Sequence, residues 1–201
     1  MCRKLVLVLG DQLDQSSSAF DDIDKNQDVI WMAEVAEEST HVWTHKARIA
    51  LFLSAMRHFR EQLLQDGFTV DYQEISEKKK AREPMSLAAA LQASLSRFRK
   101  KGVRPDCLIC VEPGEWRVRV ALEEAAKSAG IPLEVRPDRH FFTTVDDFSK
   151  HAAGRKQLRL EFFYRPLRER FNILMDGDEP AGGQWNYDAD NRGSFGKSGP
   201  E

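Results

Sequence analysis

Cysteine is scarce in this 201-residue chain: Cys2, Cys107 and Cys110 are the whole supply. An odd, low count builds no secreted disulfide framework and suits a reducing compartment. Cys107-Leu108-Ile109-Cys110 has CxxC spacing, but it lies inside an apolar run that reads as a strand. Residues i and i+3 of a strand face opposite sides of the sheet. The two thiols therefore share neither a metal nor a bridge and are expected as small core residues. Long apolar runs are also missing: nothing approaches the ~20 residues of a membrane span. The chain enters a strand almost at once and leaves no room for a signal peptide, so a cytoplasmic location is expected. Charge of one sign is not in excess. The 30 Lys and Arg against 32 Asp and Glu give a net charge of −2, which is no bulk nucleic-acid footprint. There is no P-loop, and no spacing suggests a Ser-His-Asp or Cys-His set.

What is present is an ordinary globular composition, 41% hydrophobic and 31% charged, enough for one core or a core with an appendage. Leu5 to Leu9 is a continuous apolar run ended by Gly10, as in a strand buried on both faces of a parallel sheet. Further strands are read over 28–34, 68–75, 107–112 and 133–135. Helical periodicity runs from Trp43 to Gln65, with Gly67 as its stop. A second helix is capped by Ser86, carries Leu87, Leu91, Leu95 and Phe98 on one stripe, and ends at Gly102. A charged loop, 78–84, precedes it. A third helix spans 116–128 before Gly130. Strands alternating with helices imply an α/β fold: a Rossmann-like three-layer sandwich with a five-stranded parallel sheet.

In such sheets, ligands bind beyond the carboxyl ends of the strands, at the switch in strand order. Three strand ends carry polar groups: Gly10-Asp11-Gln12-Leu13, then Glu34 with Glu37 and Glu38, then Glu112 to Arg117. The first is no dinucleotide fingerprint, because GxGxxG needs three glycines and only one is here. Asp11 repels phosphate and suits donors such as ring N–H or ribityl hydroxyl groups, or it simply caps a turn. The glutamates are candidates for acid–base work, or are favoured by a helix dipole. His41 and His45, at i and i+4, are a weak metal-ligand spacing. Trp116 either stacks on a planar ligand or packs between helix and sheet. The stretch from Gly154 to Arg170 holds six Arg or Lys against two Glu and reads first as a solvated basic face. On residues alone, three functions stay open: a domain holding a neutral, polar, planar ligand, a stand-alone nucleotide- or flavin-binding regulatory module, and a small hydrolase or transferase using Glu37, Glu38 or Glu115 as a base.

Four segments in order go further. Leu7-Val8-Leu9-Gly10-Asp11-Gln12-Leu13, Ser54-Ala55-Met56-Arg57-His58-Phe59, Glu112-Pro113-Gly114-Glu115-Trp116-Arg117-Val118-Arg119 and the closing block from Gly154 to Arg192 resemble the deoxyribodipyrimidine photolyase-related proteins. These are the bacterial iron–sulfur branch of the photolyase/cryptochrome family, prokaryotic (6-4) photolyases included. The resemblance covers residues 3 to 192. It implies that 1–140 is a Rossmann-like antenna-chromophore domain. Residues 141–201 are then a helical and extended linker toward a C-terminal flavin domain. That domain carries FAD, a [4Fe–4S] cluster and the contact with damaged DNA, so this chain alone is expected to be without repair chemistry. The antenna implied is 6,7-dimethyl-8-ribityllumazine. The matching positions are Gly10, Asp11, Gln12 and Leu13 after strand one, Glu34, Val35 and Glu38 after strand two, and Phe52 against the ring. Neither a metal site nor a membrane contact is implied for this chain.

Overall fold

The computed structural model describes residues 2–75, 85–188 and 199. The charged stretch 78–84 and the closing block beyond Asp188 lie outside the described residues, apart from Gly199. The chain divides into two compact units, at Arg139 and His140.

The first unit is built on five parallel strands: β1 (Lys4–Leu7), β2 (Val29–Ala33), β3 (Thr69–Gln73), β4 (Cys107–Val111) and β5 (Leu133–Arg136). Their order across the sheet is β3-β2-β1-β4-β5, the Rossmann-like arrangement the alternating pattern implies. Period-two geometry divides the apolar runs between two cores. Leu5, Leu7, Trp31, Leu108 and Cys110 face one side. There they meet α3 (Leu87–Lys100) and α4 (Trp116–Ala129). Val6, Ile30, Met32 and Ile109 face the other, where α2 (Lys46–Gln65) supplies Met56, Phe59 and Leu63. Burying side chains of this size stabilises by roughly 1.5–3 kcal/mol each, and the fully buried positions of the central strands carry no polar residue. The CxxC pair splits as strand geometry demands: Cys107 packs on the α2 side and Cys110 on the α3–α4 side.

Helix ends follow their local chemistry. The Ser86 hydroxyl accepts from the Ala89 N–H at 3.1 Å and caps α3. Gly130, at φ 64°, closes α4 in the left-handed conformation. The periodicity over 43–65 resolves differently at its start. A separate short helix, α1 (Ala36–Thr40), follows β2, and α2 begins only at Lys46. His45 stops the helix from extending backwards, because its Nδ1 accepts from the Ala47 N–H at 3.2 Å as an N-cap. Between β1 and β2 there is no α-helix, only a single 3₁₀ turn at Ser18–Phe20.

The second unit contains α5 (Val145–Ala152), α6 (Leu160–Phe171) and a small hairpin of β6 (Met175–Asp176) and β7 (Glu179–Pro180). Helix α5 opens on a reciprocal capping box between Thr144 and Asp147. The helices pack through Phe148 and Phe163, edge to face at 5.3 Å. The basic stretch 154–170 is not uniformly a solvated face. Arg168 is buried and donates to the carbonyls of Ile173 and Leu174. Its guanidinium also stands 5.1 Å from the Trp185 ring. Among the described residues, no helix is long and apolar enough to cross a membrane.

Burial pushes the Cys110 thiol up to about 12, and Cys107 is raised as well, also by burial. We expect Cys110 to resist a water-soluble thiol reagent in the native protein and to react on unfolding. The half-buried Cys107 reacts first. Mass spectrometry of timed labelling reads the order.

Candidate functional site

A cleft of about 430 Å³ opens at the carboxyl ends of β1, β2 and β4. It sits where the strand order reverses, with β1 flanked by β2 on one side and β4 on the other. Leu9 and Gly10 come from the end of β1, and Ala33, Glu34 and Val35 from the end of β2. One wall is Ile49, Phe52, Leu53 and Met56 of α2. The opposite rim is Pro113, Gly114, Glu115, Arg117 and Val118. Gly10 allows α2 to come close: a Cβ there would meet the Met56 Sδ at 3.0 Å.

Six of the eight residues singled out in the sequence line this cleft: Gly10, Asp11, Glu34, Val35, Glu38 and Phe52. Gln12 and Leu13 do not. The Gln12 Nε2 donates to the Glu112 carbonyl at 2.9 Å and ties the β1 and β4 loops together. Leu13 packs on the α2-side core. These two act on the rim from behind.

Glu34 has a structural role. Its side chain is fully buried, and its carboxylate receives Arg57 Nε at 2.6 Å and Nη2 at 2.8 Å. Tyr72 donates its hydroxyl at 2.7 Å and Ile75 its backbone N–H at 3.0 Å. Four donors use the acceptor capacity of one carboxylate. Desolvation acts to raise its pKa, but the bonds from Arg57, Ile75 and Tyr72 outweigh it and hold the group below the usual carboxylate range.

The free-facing chemistry of the cleft is acidic. Asp11 stands at the mouth, its Oδ2 3.9 Å from where a Cβ on Gly114 would be. Its pKa is raised, first by desolvation and then by the Glu115, Glu38 and Asp138 charges. Glu38 and Glu115 share one cation. Arg117 donates to both Glu38 oxygens, at 2.9 and 3.0 Å, and to Glu115 Oε2 at 3.0 Å. Glu37 lies 4.0 Å from the same guanidinium. Arg117 was not legible as the centre of this group. The signal available was an arginine two residues past Glu115 at a strand end, opposite an acidic run.

Other expectations end differently. His41 lines the cleft, but His45 is spent as the α2 cap, so the two do not share a helix face. Among the described residues, no group of three His, Cys, Asp or Glu could hold a metal. Trp116 is 78% exposed and outside the cleft, so it neither lines the pocket nor packs between helix and sheet.

Residues 6–201 match the deoxyribodipyrimidine photo-lyase-related protein family. The chain belongs to that family. A (6-4) photolyase of Agrobacterium fabrum is 41% identical over 189 residues, which are 94% of this chain and 36% of that protein. An uncharacterized protein of Acanthamoeba polyphaga mimivirus is 27% identical over 86 residues, 41% of this chain and 44% of that one. This photo-lyase-related chain thus spans little more than a third of the length of the Agrobacterium relative and less than half of the viral one.

Glu34→Ala removes a buried acceptor from three elements at once. We expect it to lower unfolding free energy by about 2–3 kcal/mol at neutral pH. Because the folded pKa is depressed, this stabilisation is fully present above the unfolded value of ~4.3 and is lost as pH falls through the folded pKa. Denaturant midpoints of wild type and variant should therefore converge in acid.

Proposed function

We propose that the first unit is the antenna domain of a longer photolyase-related flavoprotein and that its cleft holds 6,7-dimethyl-8-ribityllumazine. The observation that carries this reading is the composition of the switch-point cleft. Its lining is apolar along the α2 wall, at Ile49, Phe52, Leu53 and Met56, and at Val35 and Val118 elsewhere, and its mouth carries the carboxylates of Asp11, Glu38 and Glu115. A planar heterocycle fits against the first, and polyol hydroxyls or ring N–H groups are matched by the second. A cleft of about 430 Å³ is within the range of small-molecule sites.

The roles divide accordingly. Phe52 and Val35 bound the ring, Gly10 keeps the floor open beside Met56, and Asp11 and Glu38 accept from the ligand. When bound, the lumazine supplies light absorption and passes excitation onward. The acceptor is the FAD of the C-terminal flavin domain, which also carries the [4Fe–4S] cluster and meets damaged DNA. The second unit is the linker toward that domain, and lesion repair is assigned to residues outside this chain. The membership in the family and the partial match to a (6-4) photolyase support this assignment.

The test is reconstitution of the purified chain with the lumazine, followed by gel filtration and absorption spectroscopy. Wild type is expected to retain the visible lumazine band. Asp11→Ala is expected to lose it, because the ligand's donors then have no acceptor at the mouth. Failure of wild type to retain the chromophore would overturn the assignment, and retention by the variant would remove Asp11 from the site.

A further inference from the structure

The cleft is unusual for its fold in what it offers to a phosphate. A Rossmann-like site binds phosphate on the N-terminus of the helix that follows β1, through a glycine-rich turn. Here no α-helix follows β1. Helix α4 does open on the rim, but its N-cap is Glu115, whose carboxylate makes no capping bond and stands beside the positive end of the helix. Arg117 stands on the rim, and its two terminal nitrogens are already committed to both Glu38 oxygens and to Glu115, leaving its buried Nε without a partner. Arg48 lines the opposite wall, with its guanidinium 5.5 Å from the Phe52 ring centroid, so the cleft sets two arginines against its carboxylates. Three carboxylates, Asp11, Glu38 and Glu115, thus bear on whatever enters the mouth. They also bear on one another, since Glu115 and Glu38 are among the charges that raise Asp11.

We propose that this acidic rim is a selectivity device: the cleft admits a neutral ribityl chain and rejects the same chain carrying a 5′-phosphate. The inference rests on the chromophore reading above and names Glu115 and Glu38, beside Asp11, as its specificity determinants. A phosphate monoester carries about −1.5 to −2 charge at neutral pH. Near carboxylates at a mouth open to solvent, that charge is repelled, most strongly at low ionic strength. The free hydroxyl in its place is instead a donor that a carboxylate accepts. The domain would in this way exclude flavin mononucleotide and other phosphorylated ribityl compounds without needing a tighter pocket.

The experiment titrates the full chain with 6,7-dimethyl-8-ribityllumazine and, separately, with its 5′-phosphate, two probes that differ only in the phosphate. Kd for the phosphate is expected to be at least about tenfold higher at low ionic strength. The ratio should narrow as salt rises, because the mouth is open to solvent. It should also narrow in Glu115→Gln and in Glu38→Gln, with circular dichroism confirming that each variant is folded. Equal or tighter binding of the phosphate by wild type overturns the selectivity and leaves the chromophore reading intact. So does a ratio that neither salt nor the two variants change. Failure of both probes to bind overturns the chromophore reading and the selectivity with it.

Discussion

The buried carboxylate of Glu34 is the constraint on which the rim depends. It sits at the end of β2 and gathers Arg57 from α2, Tyr72 from β3 and the backbone just after β3. A carboxylate this deep is costly unless every acceptor site is filled. Here all are filled, so α2 is held at one rotation and height above the sheet. That placement carries Phe52, Leu53 and Met56 into the cleft wall. Arg57 stands between the buried Met56 and Phe59, so the ion pair and the apolar packing fix the same stretch of α2.

Arg117 does for the opposite rim what Arg57 does for this one, with a different result. It bridges Glu38, which follows β2, and Glu115, which follows β4, and so spans the mouth. Glu34 is sealed and structural, while the Arg117 cluster is half-exposed and leaves acid in excess. Arg117 and Arg48, which lines the α2 wall, are two cations against Glu37, Glu38, Glu115 and Asp11. The mouth therefore keeps a negative character that favours donors.

Much of the fold was legible because it rests on local periodicity. Both-face burial makes the central strands read as unbroken apolar runs, and Ser86 and Gly130 mark helix ends through bonds and backbone conformations that involve near neighbours. The start of α2 was misread because a cap by His45 depends on imidazole orientation, which composition does not encode. Helices α5 and α6 were not distinguished within the helical and extended linker. An apolar stripe is present in α6, Leu160, Phe163, Leu167 and Phe171 at helical spacing, but the helix is short and carries Pro166 inside it. Of the site, the strand-end residues could be named because parallel sheets place ligands there. Which side chains turn into the cleft could not.

The sequence by itself determined the class of fold, the split of Cys107 and Cys110 between two cores, and the resemblance that the comparisons bear out as family membership. These follow from near-neighbour chemistry and from motif order. Only the tertiary structure decided that Glu34 is sealed while Glu38 is presented, that Gln12 and Leu13 turn behind the rim, and that Trp116 points to solvent. The physical reason is that a side chain at a strand end takes its direction from partners far along the chain. Arg57 is 23 residues from Glu34, and Arg117 is 79 from Glu38. No local pattern records such pairings, because only the closed sheet brings them within hydrogen-bond reach.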